Sequence, residues 1–279
     1  MQVHVGFNFI YDSPQPSPML FVVQPLRQDR HQLLHEVRTL TPDVPITDYI
    51  DLFGNRVWRL VAPAGLLEVH YTAQVEVSPD PDLVLPILWL TPVEQLPYDT
   101  LVYTLPSRYC DSDLFINDAW RLFGETPPNW SRIQAVCDWV HQNIRYEIGS
   151  TSHTSAHQAY QARRGVCRDF AHIAISFCRA LNIPARYVAG FLPDIGVPID
   201  PKPMDFHAWF EAYIDGVWHT FDARHNQPRI GRVVIGRGRD AVDVALTTTY
   251  GPSQLVNFSV WADKVAERSP LHATQAQGA

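Results

Sequence analysis

The chain has 279 residues, 46% hydrophobic and 18% charged, enough apolar material for a sizeable core and length enough for two domains. A net charge of −7 without any run of Lys or Arg speaks against nucleic acid or an anionic membrane surface as a partner. Four cysteines, at 110, 137, 167 and 178, form neither a C-x-x-C pair nor a disulfide framework, so a reducing, cytoplasmic setting is expected.

The first residues, Met1 to Phe7, alternate like a strand and lack the basic and apolar regions of an export signal. No run of about 18 apolar residues follows, so no membrane span is expected. From Val3 to about Leu105 the pattern is β throughout. Val3, Val5, Phe7 and Phe9 alternate, Met19 to Val23 is a short apolar run, and Tyr49 to Val61 reads as a hairpin turning at Gly54-Asn55. Leu67 to Val77 is the longest clean alternation. Prolines at 14, 16, 18, 25, 42, 45, 63, 79 and 81 punctuate these runs as the edges and turns of a β-sandwich would. His31 and His35 have metal-pair spacing for a helix but no third ligand nearby, and read as a solvated surface pair.

Pro86 to Pro106 is a connector, and helical patterns follow it. Ser112 or Asp113 can cap a helix through Trp120 and Phe123, stopped by Gly124. Asn129 or Ser131 caps the next, with Ile133, Val136, Cys137, Val140 and Ile144 on one face. Thr154 or Ser155 would cap a short helix through Ala162, and His153 and His157 flank that cap as surface residues.

A longer helix runs from Arg164-Gly-Val-Cys-Arg-Asp-Phe-Ala-His172 to about Asn182, with Phe170, Ala171, Ala174, Phe177, Cys178 and Leu181 on one buried face. Cys167 falls in its first turn, where unpaired N–H groups and the helix dipole favour an anion. Position alone leaves a nucleophile and a buried core thiol equally open. Cys137 and Cys178, on core stripes, read as packing residues. Asp169 and His172 point away from Cys167 on a helix, and Asp169 suits the backbone or an Arg at the helix start.

Downstream, Asp205 to Asp222 is a hairpin signature, two aromatic and β-branched runs joined by Asp215-Gly216. A two-residue turn there sets Tyr213 opposite Trp218, Glu211 opposite Thr220 and Trp209 opposite Asp222. His207, Trp209, Glu211 and Tyr213 then share a face with Asp222, close enough for a carboxylate–imidazole hydrogen bond. Phe206, Ala208, Phe210, Ala212 and Ile214 form the other, apolar face with Val217, Phe221 and Ala223, and His219 on that face needs a polar partner. A thiol nucleophile needs a base and a group that fixes the base's tautomer. Cys167, His207 and Asp222 supply those three types.

Gly165-Val-Cys-Arg-Asp-Phe-Ala171, Ala180-Leu-Asn-Ile-Pro-Ala-Arg-Tyr-Val188, His207-Ala-Trp209 and Phe221-Asp222 together resemble the transglutaminase-like superfamily, above all its bacterial branch of cysteine-protease-like proteins. The resemblance covers roughly Leu101 to Val260. It implies Cys167 as nucleophile, His207 as base and Asp222 as its orienter, preceded by a β-sandwich domain. One departure is visible: the family usually follows the Asp with Pro-Thr-Asn, whereas this chain has Asp222-Ala-Arg-His-Asn226.

Beyond the site helix, Pro184 to Leu192 is a strand, and the loop from Asp194 to Met204 would wall the cleft. Arg229 to Ile235 and Val242 to Thr249 would continue the sheet, with Leu255 to Trp261 as a last strand. The expected fold is α+β: an N-terminal β-sandwich over 1–105, a papain-like, transglutaminase-like core over 106–264 with the Cys167 helix packed on an antiparallel sheet, and a polar tail over 265–279. No phosphate loop, dinucleotide fingerprint or Ca²⁺-type carboxylate cluster occurs, so neither cofactor nor metal is expected. The expected activity is thiol-dependent acyl transfer on an amide or isopeptide bond of a peptide or protein, through a thioester. Hydrolysis, as in a cysteine peptidase or amidase, ranks ahead of transamidation by an amine. A binding scaffold that retains the triad is the reading from a different class. Nothing in the sequence speaks to oligomeric state.

Overall fold

Alternating apolar residues can bury one face of a strand, and two such faces make a core. The computed structural model, which describes residues 1–27 and 29–265, builds the N-terminal half this way. Strands β1 (Gln2–Ser13), β2 (Ser17–Phe21), β3 (His31–Thr41), β4 (Thr47–Ile50), β5 (Arg56–Ala62) and β6 (Gly65–Val77) divide between two four-stranded sheets. Phe7 and Tyr71 on one sheet meet Trp58 on the other, with ring centroids 6.4 and 5.7 Å apart.

The helices are α1 (Ile116–Phe123), α2 (Trp130–Asn143), α3 (Ala156–Ala162) and α4 (Cys167–Ala180). The two-residue strands β7 (Arg145–Tyr146) and β8 (Arg164–Gly165) pair in parallel beside the last of these. Asn129 caps α2 by accepting from the Ser131 N–H, and Ser155 forms a capping box with Gln158 on α3. The segment expected to open α1 from Ser112 or Asp113 is instead a 3₁₀ turn over Ser112–Phe115 without a side-chain cap.

The second sheet system holds β9 (Ala185–Phe191), β10 (His207–Ile214), β11 (Val217–Phe221) and β12 (Val233–Gly238), all antiparallel in the order β11-β10-β9-β12. Helix α4 packs against β9 and β10 on one side and against α1, α2 and α3 on the other. It is therefore buried from Asp169 to Ala180 rather than along one stripe. Its buried Arg179 is matched by the carbonyls of Leu105, Ala185 and Arg239.

Two further sequence expectations are corrected. Strand β13 (Thr247–Thr249), read as continuing the sheet of the core, and β14 (Gln254–Lys264), read as a last strand within 106–264, return to the sandwich. There β13 pairs with β2 and β14 with β1 along ten residue pairs. Alternation marks a strand but not its partner, and here the partner lies at the other end of the chain. His31 is no solvated surface residue: it is buried on β3 with Nε2 3.0 Å from the Leu26 carbonyl oxygen, while His35, past a bulge, is exposed. The expected polar tail, from residue 266 onward, lies outside the described residues. Among the described residues, no helix is long and apolar enough to cross a membrane.

Candidate active site

Cys167 is the first residue of α4 and is half-buried, whereas Cys110, Cys137 and Cys178 are buried. The helix start is built by the residues around it. Asp169 folds back so that its Oδ2 accepts the Val166 N–H at 2.8 Å, and its Oδ1 pairs with Arg168 at 3.0 Å. A Cβ on Gly165 would lie 2.5 Å from the Asp169 Cβ, so only glycine leaves room for that carboxylate. The G-x-C-x-D spacing is thus a helix-start device that presents the thiol, and Asp169 is not a partner of the sulfur. His172, buried, accepts the Ala241 N–H at Nε2 and stacks on Tyr109 at 5.4 Å. Burial, with Arg168 next, lowers its imidazole to about 3.

The hairpin has the expected register: Ile214 faces Val217, Tyr213 faces Trp218 and Glu211 faces Thr220. Asp215 and Gly216 both have positive φ, 48° and 82°, the type I′ turn that matches strand twist. His219, the polar residue on the apolar face, packs edge-on to Trp130 at 5.4 Å and hydrogen-bonds backbone at Ile214. His207 pairs with Gly190 of β9. A side chain at that glycine would meet the Val233 carbonyl oxygen at 2.1 Å and the Trp209 ring at 2.8 Å. Ahead of His207, the Phe206 ring enters a cluster with Phe7, Phe9, Phe191 and Phe258, and its carbonyl oxygen lies 4.0 Å from the Cys167 Sγ. The sandwich thereby packs directly on the residue that precedes His207.

His207 Nε2 lies 2.8 Å from Asp222 Oδ2. Burial alone would lower the imidazole; the Asp222 charge and hydrogen bond, with a further contribution from the nearby Cys167, raise it to about 9. Burial pushes the Asp222 carboxyl up, but His207 and then Arg232 hold it well below the usual carboxylate range. The other Asp222 oxygen accepts the N–H groups of Arg224 and His225 at 3.0 and 3.1 Å. This turn, where the chain departs from the family's usual Pro-Thr-Asn, is docked onto α2. Asn226 exchanges side-chain hydrogen bonds with Gln134 and Asp138, and His141 contacts the Arg224 carbonyl.

Several residues here carried no signal in the sequence. Arg232 donates to Asp222 Oδ2 at 3.0 Å and to Asp82, just after β6, at 2.8 Å. The His225 ring is 4.8 Å from that of His207, and burial chiefly holds its imidazole at about 4, hence neutral near pH 7. Tyr146 flanks the sulfur: burial and then the charges of Cys167, Asp205 and Asp200 raise its phenol, while Arg224 sits 3.9 Å over its ring. The loop expected to wall the cleft is anchored at its base by Arg229, which donates to the Pro193 carbonyl and to Asp194, both at 3.0 Å. Donor atoms of His207, Asp222 and His225 lie within 4.8 Å of one another. The Arg232 guanidinium already occupies the shared carboxylate oxygen, so the group handles protons better than it would a cation.

The profile of the transglutaminase-like superfamily matches residues 121–223. A candidate cysteine protease from Cytophaga hutchinsonii is 35% identical, with a TM-score of 0.85 over 97% of this chain and 93% of its own. An uncharacterized protein of Mycobacterium leprae is 27% identical over 253 residues, 88% of this chain and 90% of its own. Another, from Mycobacterium tuberculosis, is 33% identical over 149 residues, 48% of this chain and 47% of its own. The chain belongs to the transglutaminase-like superfamily. At the level of that family, the membership supports thiol-based acyl transfer.

Proposed function

We propose that this chain is a cysteine peptidase or amidase in which Cys167, His207 and Asp222 form a catalytic triad. The observation that carries the reading is the 2.8 Å pairing of His207 with Asp222 beside a half-buried thiol at a helix start. The Cys167 sulfur attacks the carbonyl carbon of an amide or isopeptide bond, and the backbone N–H at the head of α4 helps hold the oxyanion. His207, kept protonated by Asp222, delivers its proton to the departing amine as the C–N bond breaks. The resulting neutral imidazole takes a proton from water, which adds to the thioester and releases acid and thiol. Asp222 keeps Nε2 as the protonated nitrogen, leaving the other ring nitrogen for the sulfur.

The test supplies a panel of peptide and isopeptide donors, with and without a labelled primary amine. Release of free carboxylate, abolished by Cys167→Ala with the fold intact, is the expected outcome. Label incorporation in place of hydrolysis would make the protein a transamidase. No turnover together with wild-type partner binding by Cys167→Ala would favour a scaffold.

A further inference from the structure

Just after β6, between the sandwich and the helices, the chain sends one residue into the site. Asp82 exchanges backbone hydrogen bonds with the 222–232 segment, its N–H donating to the Arg229 carbonyl at 2.9 Å and its Oδ2 accepting the Arg229 N–H at 3.0 Å. The same oxygen accepts Nε of Arg232 at 2.8 Å. Arg232 is almost enclosed, its side chain 7% exposed, and its guanidinium carbon lies 4.9 Å from the centre of the Trp209 ring. From there its Nη2 donates at 3.0 Å to the Asp222 oxygen that also faces His207.

We propose that Arg232 and Asp82 are positioning residues for the reaction, a carboxylate–guanidinium clamp that fixes the Asp222 oxygen at which His207 is oriented. The proposal rests on the triad reading above. A carboxylate at the end of a hairpin could swing about its side-chain bonds. Two donors on one oxygen, His207 and Arg232, and two backbone N–H groups on the other remove that freedom. Arg232 must itself be held, since a guanidinium donating to Asp222 alone could follow it. Asp82 holds it from the far side, and Trp209 stacks beneath. A lysine, with a single point charge, cannot bond two carboxylates in fixed directions. The arrangement also sets charge. Around His207 stand Cys167 from α4, Asp205 before β10, Asp222, His225, Arg229 and Arg232 along 222–232, and Asp82 from the segment after β6. Of these, Arg232 opposes a proton on the imidazole, while Asp82 partly cancels Arg232.

Alkylation of Cys167 by iodoacetamide, followed against pH in the full chain, reads the pair without a known substrate. Loss of the His207 proton should give the profile an upper inflection near 9. Arg232→Met should move this inflection upward and Asp82→Asn downward, each by on the order of half to one pH unit. Arg232→Lys should return it toward the parent position. A purely structural role would leave it in place, so an inflection that stays put, or moves the same way in both variants, overturns the proposal. Should Arg232→Met fail to fold, Asp82→Asn decides through the downward shift alone. His207→Ala separates the two readings. If it leaves the profile unchanged the triad reading fails, whereas if it removes the inflection and the clamp variants leave it fixed, only the clamp fails.

Discussion

One face of the hairpin carries two buried carboxylates, Glu211 and Asp222, and each is matched by arginines. Glu211, 2% exposed, accepts from Arg186 at 2.7 Å and from two nitrogens of Arg237 at 2.8 and 2.9 Å. Both its oxygens are used up by permanently charged donors. Burial alone would raise its carboxyl, but Arg237 and Arg186 bring it to about 2. Asp222 is as deeply buried and also has an arginine, yet one of its oxygens is shared with a histidine that faces a half-buried thiol. Trp209, two positions before Glu211 on β10, is buried beneath the Arg232 guanidinium that serves Asp222. The residue types are nearly the same; what sets Asp222 apart is a titratable partner beside a half-buried thiol.

Removing the charge from each carboxylate in turn should split these roles. Asp222→Asn leaves Arg232 paired with Asp82 but removes the acceptor that fixes the His207 tautomer. Turnover on a peptide donor should fall by about four orders of magnitude, with the denaturation midpoint changed far less than in the companion variant. Glu211→Gln leaves Arg186 buried without a countercharge and Arg237 with Asp29 alone, and should cost about 3–5 kcal/mol in urea unfolding. The Glu211→Gln protein that stays folded should keep its kcat. A variant pair with the reverse pattern would erase the distinction.

Both carboxylates are held low and fail toward acid, so the two sites should be told apart on the alkaline side, where only the His207–Asp222 pair has a proton to lose. The raised His207 contributes stability that is whole below 6.5 and declines as pH rises through about 9. The lowered Glu211 contributes stability present above 4.5 and lost as pH falls toward about 2. Unfolding free energy measured against pH should therefore drop on both flanks. The alkaline drop should vanish in His207→Gln, and the acid drop should shrink in Glu211→Gln.

Most of the hairpin was legible because its signals are local. Asp215-Gly216 dictates a turn type, the turn dictates register, and register puts His207 and Asp222 on one face. The helix start around Cys167 was legible for the same reason, since Gly165, Val166 and Asp169 interact within five positions. The clamp was not, because Asp82 and Arg232 meet across 150 residues and neither sits in a pattern that predicts a partner. Glu211 likewise takes its arginines from β9 and β12, and no strand pattern names its neighbours. Strand β14 shows the limit in reverse: it was read correctly as a strand, but its place beside β1, where Phe9 stacks on Phe258 at 5.1 Å, depends on residues about 250 positions away.

The smallest expected effect lies at the turn on which the whole face depends. Gly216 has φ of 82°, and a side chain there would meet nothing within 4 Å, so Gly216→Ala adds backbone strain without a clash. A left-handed residue with a Cβ costs about 1–2 kcal/mol. Register should nonetheless hold, because the five paired positions from Phe210 to Ile214 bury an apolar face that a one-residue slip would expose. Urea unfolding should show that loss, and thiol alkylation of the folded variant should match the parent across pH. An altered alkylation profile would mean that the turn, rather than the packing of the strands, keeps Asp222 aligned with His207, and the two carboxylates would then share a single point of failure.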